Sequence, residues 1–258
     1  MTTHLVLPDC QIRSGDDTSF LTAIGKYVIK KQPDTIICIG DFADMPSLSS
    51  YDVGKKSFEG RRYKLDIEAS INAMQAFLKP INEFNERARK NKEKQYKPRM
   101  VLTLGNHENR INRAVNDDSK LEGVLSTKDL KFEEFGWEVH DFLDVAIIDG
   151  VAYSHYFVTG VAGRPASSAA AQFRKTNMSC VAGHQQGLQI HTGNRADGAL
   201  LTSIIAGSCY EHDEDYLGAQ GNKHWRGFLV LHDVNNGEFD LMPVSLDWVK
   251  RKYASSNS

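Results

Sequence analysis

Three short apolar runs share the first 106 residues, and each stops abruptly in polar ones: HLVLPD, DTIICIGD and RMVLTLGN. Short, β-branched and flanked by turn formers, they predict buried strands whose C-terminal ends open into polar loops. Between the first two, Phe20, Leu21, Ile24, Tyr27 and Val28 recur at helical spacing, with Asp16 or Asp17 placed to cap and Pro33 just beyond the end. That is a β-α-β unit, which implies parallel strands and a right-handed crossover. A longer helical pattern runs from about Asp66 to Lys90, with Ile67, Ile71, Met74, Leu78 and Ile81 on one face. Pro80 lies inside it and predicts a kink or two abutting helices. The charged stretch NERARKNKEKQYKPR then reads as a solvated helix end and loop.

From Trp137 the pattern changes. WEVHDF, VAIIDGVAYSH, SCVAGH, LLTSIIAGS and FLVLHDVNNGEFDLMPV are strand-like, and Asp149-Gly150 and Asn236-Gly237 are hairpin signals. An α/β first half thus meets a hairpin-rich second half, with no low-complexity linker and no internal repeat between them. The expected architecture is one α/β domain over residues 1–258, two packed β-sheets flanked by helices, with a frayed ASSNS tail.

Composition narrows the class. At 41% hydrophobic and 25% charged residues, the 258-residue chain can bury a sizeable core, and a net charge of −2 gives no global pull toward nucleic acid or a membrane surface. No run approaches the ~20 apolar residues of a membrane span. MTTHLVLPDC lacks the form of a secretory signal. The four cysteines, Cys10, Cys38, Cys180 and Cys209, form no C-x-x-C pair and read as reduced thiols of a cytoplasmic protein.

The chemistry lies where the strands stop. Asp9 and Gln11, Asp41 and Asp44, Asn106 and His107, His155, and His184 and Gln186 all follow apolar runs. In open α/β sheets ligands bind at that edge. Carboxylates, imidazoles and an amide oxygen suit Mn²⁺, Zn²⁺ or Fe. Two such ions ~3.5–4 Å apart clamp a phosphoryl group and lower the pKa of a shared water toward ~7.

The order PDCQ, GDFAD, GNHE, SH, GHQQ resembles the metallophosphoesterase, or calcineurin-like phosphoesterase, superfamily, whose pattern is D-x-H, G-D, G-N-H-[ED], H, G-H-x-H. Its small stand-alone bacterial and viral members are the ones it resembles in style. The resemblance implies a four-layer αββα sandwich and a phosphoester hydrolase with two divalent metal ions. It implies that Asp9 and Asp41 bind the first metal, with Asp41 bridging, and that Asn106, His155 and His184 complete the second. It gives His107 the role of acid toward the leaving oxygen and Asp44 that of orienting His107. Glu108 stands beside them as a supporting or helix-start carboxylate. The Arg that follows this Asp in protein Ser/Thr phosphatases is Met45 here, so their substrate recognition does not carry over.

Two family histidines are replaced: Gln11 stands in the first motif and Gln186 in the last. Both belong to the first metal site. A neutral carbonyl oxygen is harder and weaker than imidazole nitrogen, so the expected preference moves toward Mn²⁺, with Mg²⁺, Zn²⁺ or Fe as alternatives. His191 is a remote substitute ligand. Arg110 is the candidate phosphate contact, ahead of Arg113 and Arg164. The basic, aromatic-bearing stretch 50–64 suits either a solvated loop or a nucleotide or single-stranded nucleic-acid rim, and the second reading tilts the expectation toward a phosphodiesterase or nuclease over a monoesterase. Stretch 209–227 is a candidate cap on the cleft. The competing reading is a non-catalytic binding or scaffold protein with a degraded first metal site, as in the superfamily's retromer subunit.

Overall fold

The structure, a computed structural model, describes residues 1–50, 52–214 and 217–253; the ASSNS tail lies outside them. The chain runs β1 (Thr2–Leu7), α1 (Ser19–Lys31), β2 (Thr35–Cys38), α2 (Tyr63–Lys90), β3 (Arg99–Thr103), α3 (Asn109–Asp117) and β4 (Glu138–His140). It continues through β5 (Ala146–Ile148), β6 (Val151–Ser154), β7 (Val158–Thr159), β8 (Arg164–Pro165), α4 (Ala169–Thr176), β9 (Cys180–Ala182), β10 (Leu188–Asn194) and β11 (Leu200–Ala206). It closes with α5 (Gly218–Gly221), β12 (Gly227–Asn235), β13 (Glu238–Ser245) and α6 (Leu246–Tyr253).

Two main sheets result. The first has six strands in the order β13-β12-β1-β2-β3-β4, and the second five in the order β10-β11-β9-β6-β5. Strands β1 to β4 pair in parallel, as β-α-β connections require. Buried on both faces, β1, β2 and the end of β3 read as continuous apolar runs, whereas the edge strand β4 does not. Leu5 and Leu7 turn toward α1, α2 and α6, while Val6 turns the other way, onto Val181 and Ile204 of the second sheet. The outer face of the second sheet carries α4, whose Gln172 donates to the Ile204 carbonyl at 3.1 Å. Helices thus flank two packed sheets.

Three features depart from the pattern-based expectation. First, of the two readings of Pro80 the pair of abutting helices is not found, since α2 is one helix of 28 residues. Proline strands the carbonyl four residues earlier, and here the Thr22 hydroxyl of α1 donates to that Ala76 oxygen at 3.2 Å. Second, the two halves of the chain are not the two sheets. Strand β12 returns to pair antiparallel with β1, so the C-terminal hairpin completes the first sheet. Third, β9 lies parallel to both β6 and β11. Both hairpin signals are realised, with positive φ at Asp149 and Gly150 and at Asn236 and Gly237. Thr18 occupies the N-cap position of α1 without a side-chain bond, and Asp17 beside it accepts from Ser19 N at 2.8 Å. All four cysteines are buried and free, and among the described residues no helix is long and apolar enough to cross a membrane.

Candidate metal centre

The C-terminal ends of β1, β2, β3, β6 and β9 lead into the loops that carry Asp9, Asp41, Asn106, His155 and His184. The chain turns sharply there. Asp9, Gln11, Asp41 and His184 all have positive φ, a region that non-glycine residues enter rarely and at a cost. Gly105 lets two of these loops meet. A Cβ on it would lie 2.1 Å from Asp41 Oδ1 and 2.3 Å from Asp41 N. Glu108 locks the same junction: its buried carboxylate accepts from Asp41 N and Ala43 N at 2.9 and 2.8 Å and from Gly105 N at 2.8 Å. Burial and the nearby Asp41 charge raise its pKa, while those backbone donors work against the shift. Of the two roles left open for Glu108, the supporting one matches this position.

One set of donors meets at close range. Ligand atoms of Asp41, His155 and His184 all lie within 4.8 Å of one another. Asn106 Oδ1 sits 2.8 Å from both His155 Nε2 and His184 Nδ1. His155 Nδ1 faces the Ile39 carbonyl at 2.9 Å and must donate to it, which turns the Nε2 lone pair toward Asn106 Oδ1 and, at 3.3 Å, toward Asp41 Oδ2. Acceptors facing acceptors require a proton or a cation between them. The electrostatics agree. Burial disfavours charge on His155, yet the Asp41 carboxylate outweighs it and raises the pKa to about 9. Burial and the His155 charge lower His184 to about 4, keeping it neutral and able to ligate. Asp41 is held well below the usual carboxylate range: burial opposes this, but His107 and His155 prevail. Two imidazoles, a carboxylate and an amide oxygen fit a divalent cation.

A second set lies beside it. Asp9 Oδ1 accepts from His184 N at 3.1 Å, tying the first and last loops together. On those two loops Asp9 Oδ2, Gln11 Oε1 and Gln186 Oε1 are all buried without a hydrogen-bond partner. Buried polar atoms are almost always satisfied. Three orphaned oxygens on two joined loops fit a hard cation. Burial, assisted by Asp41, pushes the Asp9 pKa up to about 7, a cost that a bound dication removes. His191 lies on β10 against Phe173, ring centroids 5.1 Å apart.

His107 stands at the cleft side of these residues. Its backbone N–H donates to Asp41 Oδ1 at 2.9 Å, and Nδ1 lies 2.6 Å from Asp44 Oδ1. Burial opposes charge on this imidazole, but Asp41 and the bond to Asp44 raise its pKa overall. Burial likewise opposes charge on Asp44, yet His107, Arg13 and Arg110 hold it well below the carboxylate range. Arg110 Nη1 donates to the Asp44 carbonyl at 2.7 Å and Nη2 lies 3.1 Å from His107 Nε2. Arg110 therefore braces this pair at the cleft wall, whereas Arg113 and Arg164 are exposed on α3 and β8.

The cleft measures about 1130 Å³ and is lined by Gln11, Asn106, His107 and His184 at one end, with parts of stretches 50–64 and 209–227 on its walls. Two residues escaped the sequence reading, Arg13 on the cleft wall and Tyr156 beside the metal-site histidines. Arg13 binds Asp44 Oδ2 through Nε at 2.5 Å and also pairs with Glu214. The signal available was a basic residue two positions after Gln11. Tyr156, directly after His155, packs its ring against His184 with centroids 4.9 Å apart.

No family model matches the chain. The chain is 28% identical over 253 residues to the Gene 54 protein of Mycobacterium phage L5, a match covering 93% of this chain and 92% of that one. It is also 28% identical over 258 residues to the Gene 54 protein of Mycobacterium phage D29, with the same coverage of 93% and 92%. These names state no activity. Among solved structures, one described as Yfce, a phosphoesterase from E. coli, aligns over 95% of this chain and 99% of that one, at 12% identity and a TM-score of 0.36. That level of likeness does not establish a shared fold.

Proposed function

We propose that the chain is a metal-dependent phosphoester hydrolase of the metallophosphoesterase type. The observation that carries this reading is the juxtaposition of two cation-deficient donor sets with a carboxylate-held imidazole at the head of an open cleft. Asp41, Asn106, His155 and His184 would hold one dication. Asp9, Gln11 and Gln186 would hold the other, with Asp41 shared. When bound, the ions supply Lewis acidity toward phosphoryl oxygens and an activated water. The chain's own residues supply the rest. Asp44 lies 2.6 Å from Nδ1 of His107, so Nε2 is the nitrogen that would protonate the departing ester oxygen as its bond to phosphorus breaks, once a proton takes the place of the Arg110 Nη2–H that lies against it at 3.1 Å. The retained His107–Asp44 pair favours catalysis over a scaffold role, since a scaffold needs no leaving-group acid.

Size and charge guide the substrate. The cleft has room for a nucleotide-sized group beside the phosphoryl, which supports a diester. Of the basic residues in stretch 50–64, Lys55 and Arg61 pair with Asp52 and Lys64 with Glu68. This pairing weakens the case for a long polyanion, so a nucleotide-sized diester is preferred over extended single-stranded nucleic acid. The test is metal-free protein reconstituted with single metals and assayed on a chromogenic monoester, a chromogenic diester and single-stranded DNA. No hydrolysis with any metal would sink the reading.

The glutamines make a separate prediction. An oxygen-rich first site should work with Mn²⁺ and release that ion more readily than the second. Gln11→His with Gln186→His should tighten Zn²⁺ there by roughly tenfold or more, because imidazole is the better ligand for that ion. Calorimetric titration of both proteins with Mn²⁺ and Zn²⁺ reads this without activity. An unchanged preference in the double variant would show that these side chains do not reach the metal.

A further inference from the structure

Asp44 meets three side chains beside the proposed centre. Its Oδ1 takes His107 Nδ1 at 2.6 Å and lies 3.4 Å from Arg110 Nη1. Its Oδ2 takes Arg13 Nε at 2.5 Å. Arg13 is itself gripped from the far side by Glu214, a buried carboxylate of stretch 209–227. Glu214 is held in turn. His212 Nε2 lies 3.0 Å from its Oε1, and the Asn222 side chain accepts from its backbone N–H at 2.8 Å and donates to its carbonyl at 2.9 Å. His212 is stacked flat on Tyr210, centroids 4.4 Å apart, and its Nδ1 lies 3.5 Å from Asp16. An unbroken chain of charged contacts thus joins stretch 209–227 to the imidazole of His107.

We infer that Arg13, clamped by Glu214, is a positioning residue for the Asp44–His107 pair, so that stretch 209–227 determines how well His107 is aimed at the leaving group. A carboxylate held at one oxygen can rotate, and an imidazole bonded only to it rotates along. Arg13 pins Oδ2 while Oδ1 stays 2.6 Å from His107 Nδ1, which narrows the orientations open to the ring. The orientation matters in one step. As the hydroxide derived from water forms its bond to phosphorus, the ester P–O bond breaks and its electrons stay on the leaving oxygen, which takes the Nε2 proton of His107. Misaiming the ring therefore costs most where the leaving oxygen is basic. An alkyl ester depends on that proton; a 4-nitrophenyl ester hardly does.

This inference rests on the hydrolase reading, and the test separates the two. Metal-loaded wild type, Arg13→Met, Arg13→Lys and Glu214→Gln are assayed on an alkyl phosphoester and a 4-nitrophenyl phosphoester of the same type. Arg13→Met should lose roughly 10²-fold in kcat on the alkyl ester, the scale of a general-acid contribution, and at least tenfold less on the nitrophenyl ester. Glu214→Gln keeps volume and loses charge, so it should show the same selectivity at smaller size, and it carries the test where Arg13→Met does not fold. Arg13→Lys should restore part of the alkyl-ester rate. Equal losses on both esters would make Arg13 a structural tie and overturn the inference while leaving the hydrolase standing. Wild type inactive on both esters would overturn both.

Discussion

Asp41→Asn is expected to strip the centre. Turnover should fall by ~10³-fold or more, about 4 kcal/mol of transition-state stabilisation, and bound metal should drop from two ions to one or fewer. The substitution is close to isosteric, so shape is not the cause. Asp41 also has φ of +49°, a conformation asparagine tolerates better than most residues, so the turn should persist. What changes is charge. Asp41 Oδ2 faces His155 Nε2 at 3.3 Å and His107 Nε2 at 3.7 Å, and its Oδ1 accepts the His107 N–H. A neutral amide cannot offset two dications from that position. Metal analysis of the purified variant, with circular dichroism to verify folding, decides the matter. Two ions retained at full occupancy would remove Asp41 from the bridging role.

Much of this arrangement was legible in the linear pattern, for a physical reason. Strands buried on both faces must be apolar throughout, so β1, β2 and β3 stand out, and the residues that end them stand out equally. Asp9, Asp41 and Asn106 were therefore visible as a set before any contact was known. The hairpin turns were visible because only a few residue pairs adopt two successive positive φ values. The return of β12 to β1 was not visible. Its pairing partners lie more than 220 residues away, as in His4 with Leu231, and local propensity is silent about such register. Pro80 left a kink or a break open, and the donor that meets its stranded carbonyl, Thr22, sits on another helix, out of reach of a local reading. Arg13 and Glu214 were missed for the same reason. Separately they are two ordinary charges 201 positions apart, and only the fold makes them one contact. Glu108 stands out in the sequence only through its neighbours, while its three backbone bonds follow from loops that converge in space.

The removal of His107 should separate chemistry from metal binding. His107→Ala is expected to lower turnover by roughly 10²–10⁴-fold, the usual contribution of a general acid, with both ions retained. The geometry supports both halves of that expectation. The tie from this residue to Asp41 Oδ1 runs through the backbone N–H, so alanine preserves it. The imidazole, by contrast, is turned to Asp44 through Nδ1 and is flanked by Arg110 at Nε2, outside the donor set formed by Asp41, Asn106, His155 and His184. The loss should be largest for esters with basic leaving groups, and added imidazole should recover part of it by occupying the vacated space. Asp44→Asn should mimic the defect in weaker form, because His107 keeps a neighbour but loses the charge that stabilises its protonated state. If His107→Ala instead arrives without its metal, the imidazole is a ligand, and the leaving oxygen must obtain its proton from another source in the cleft.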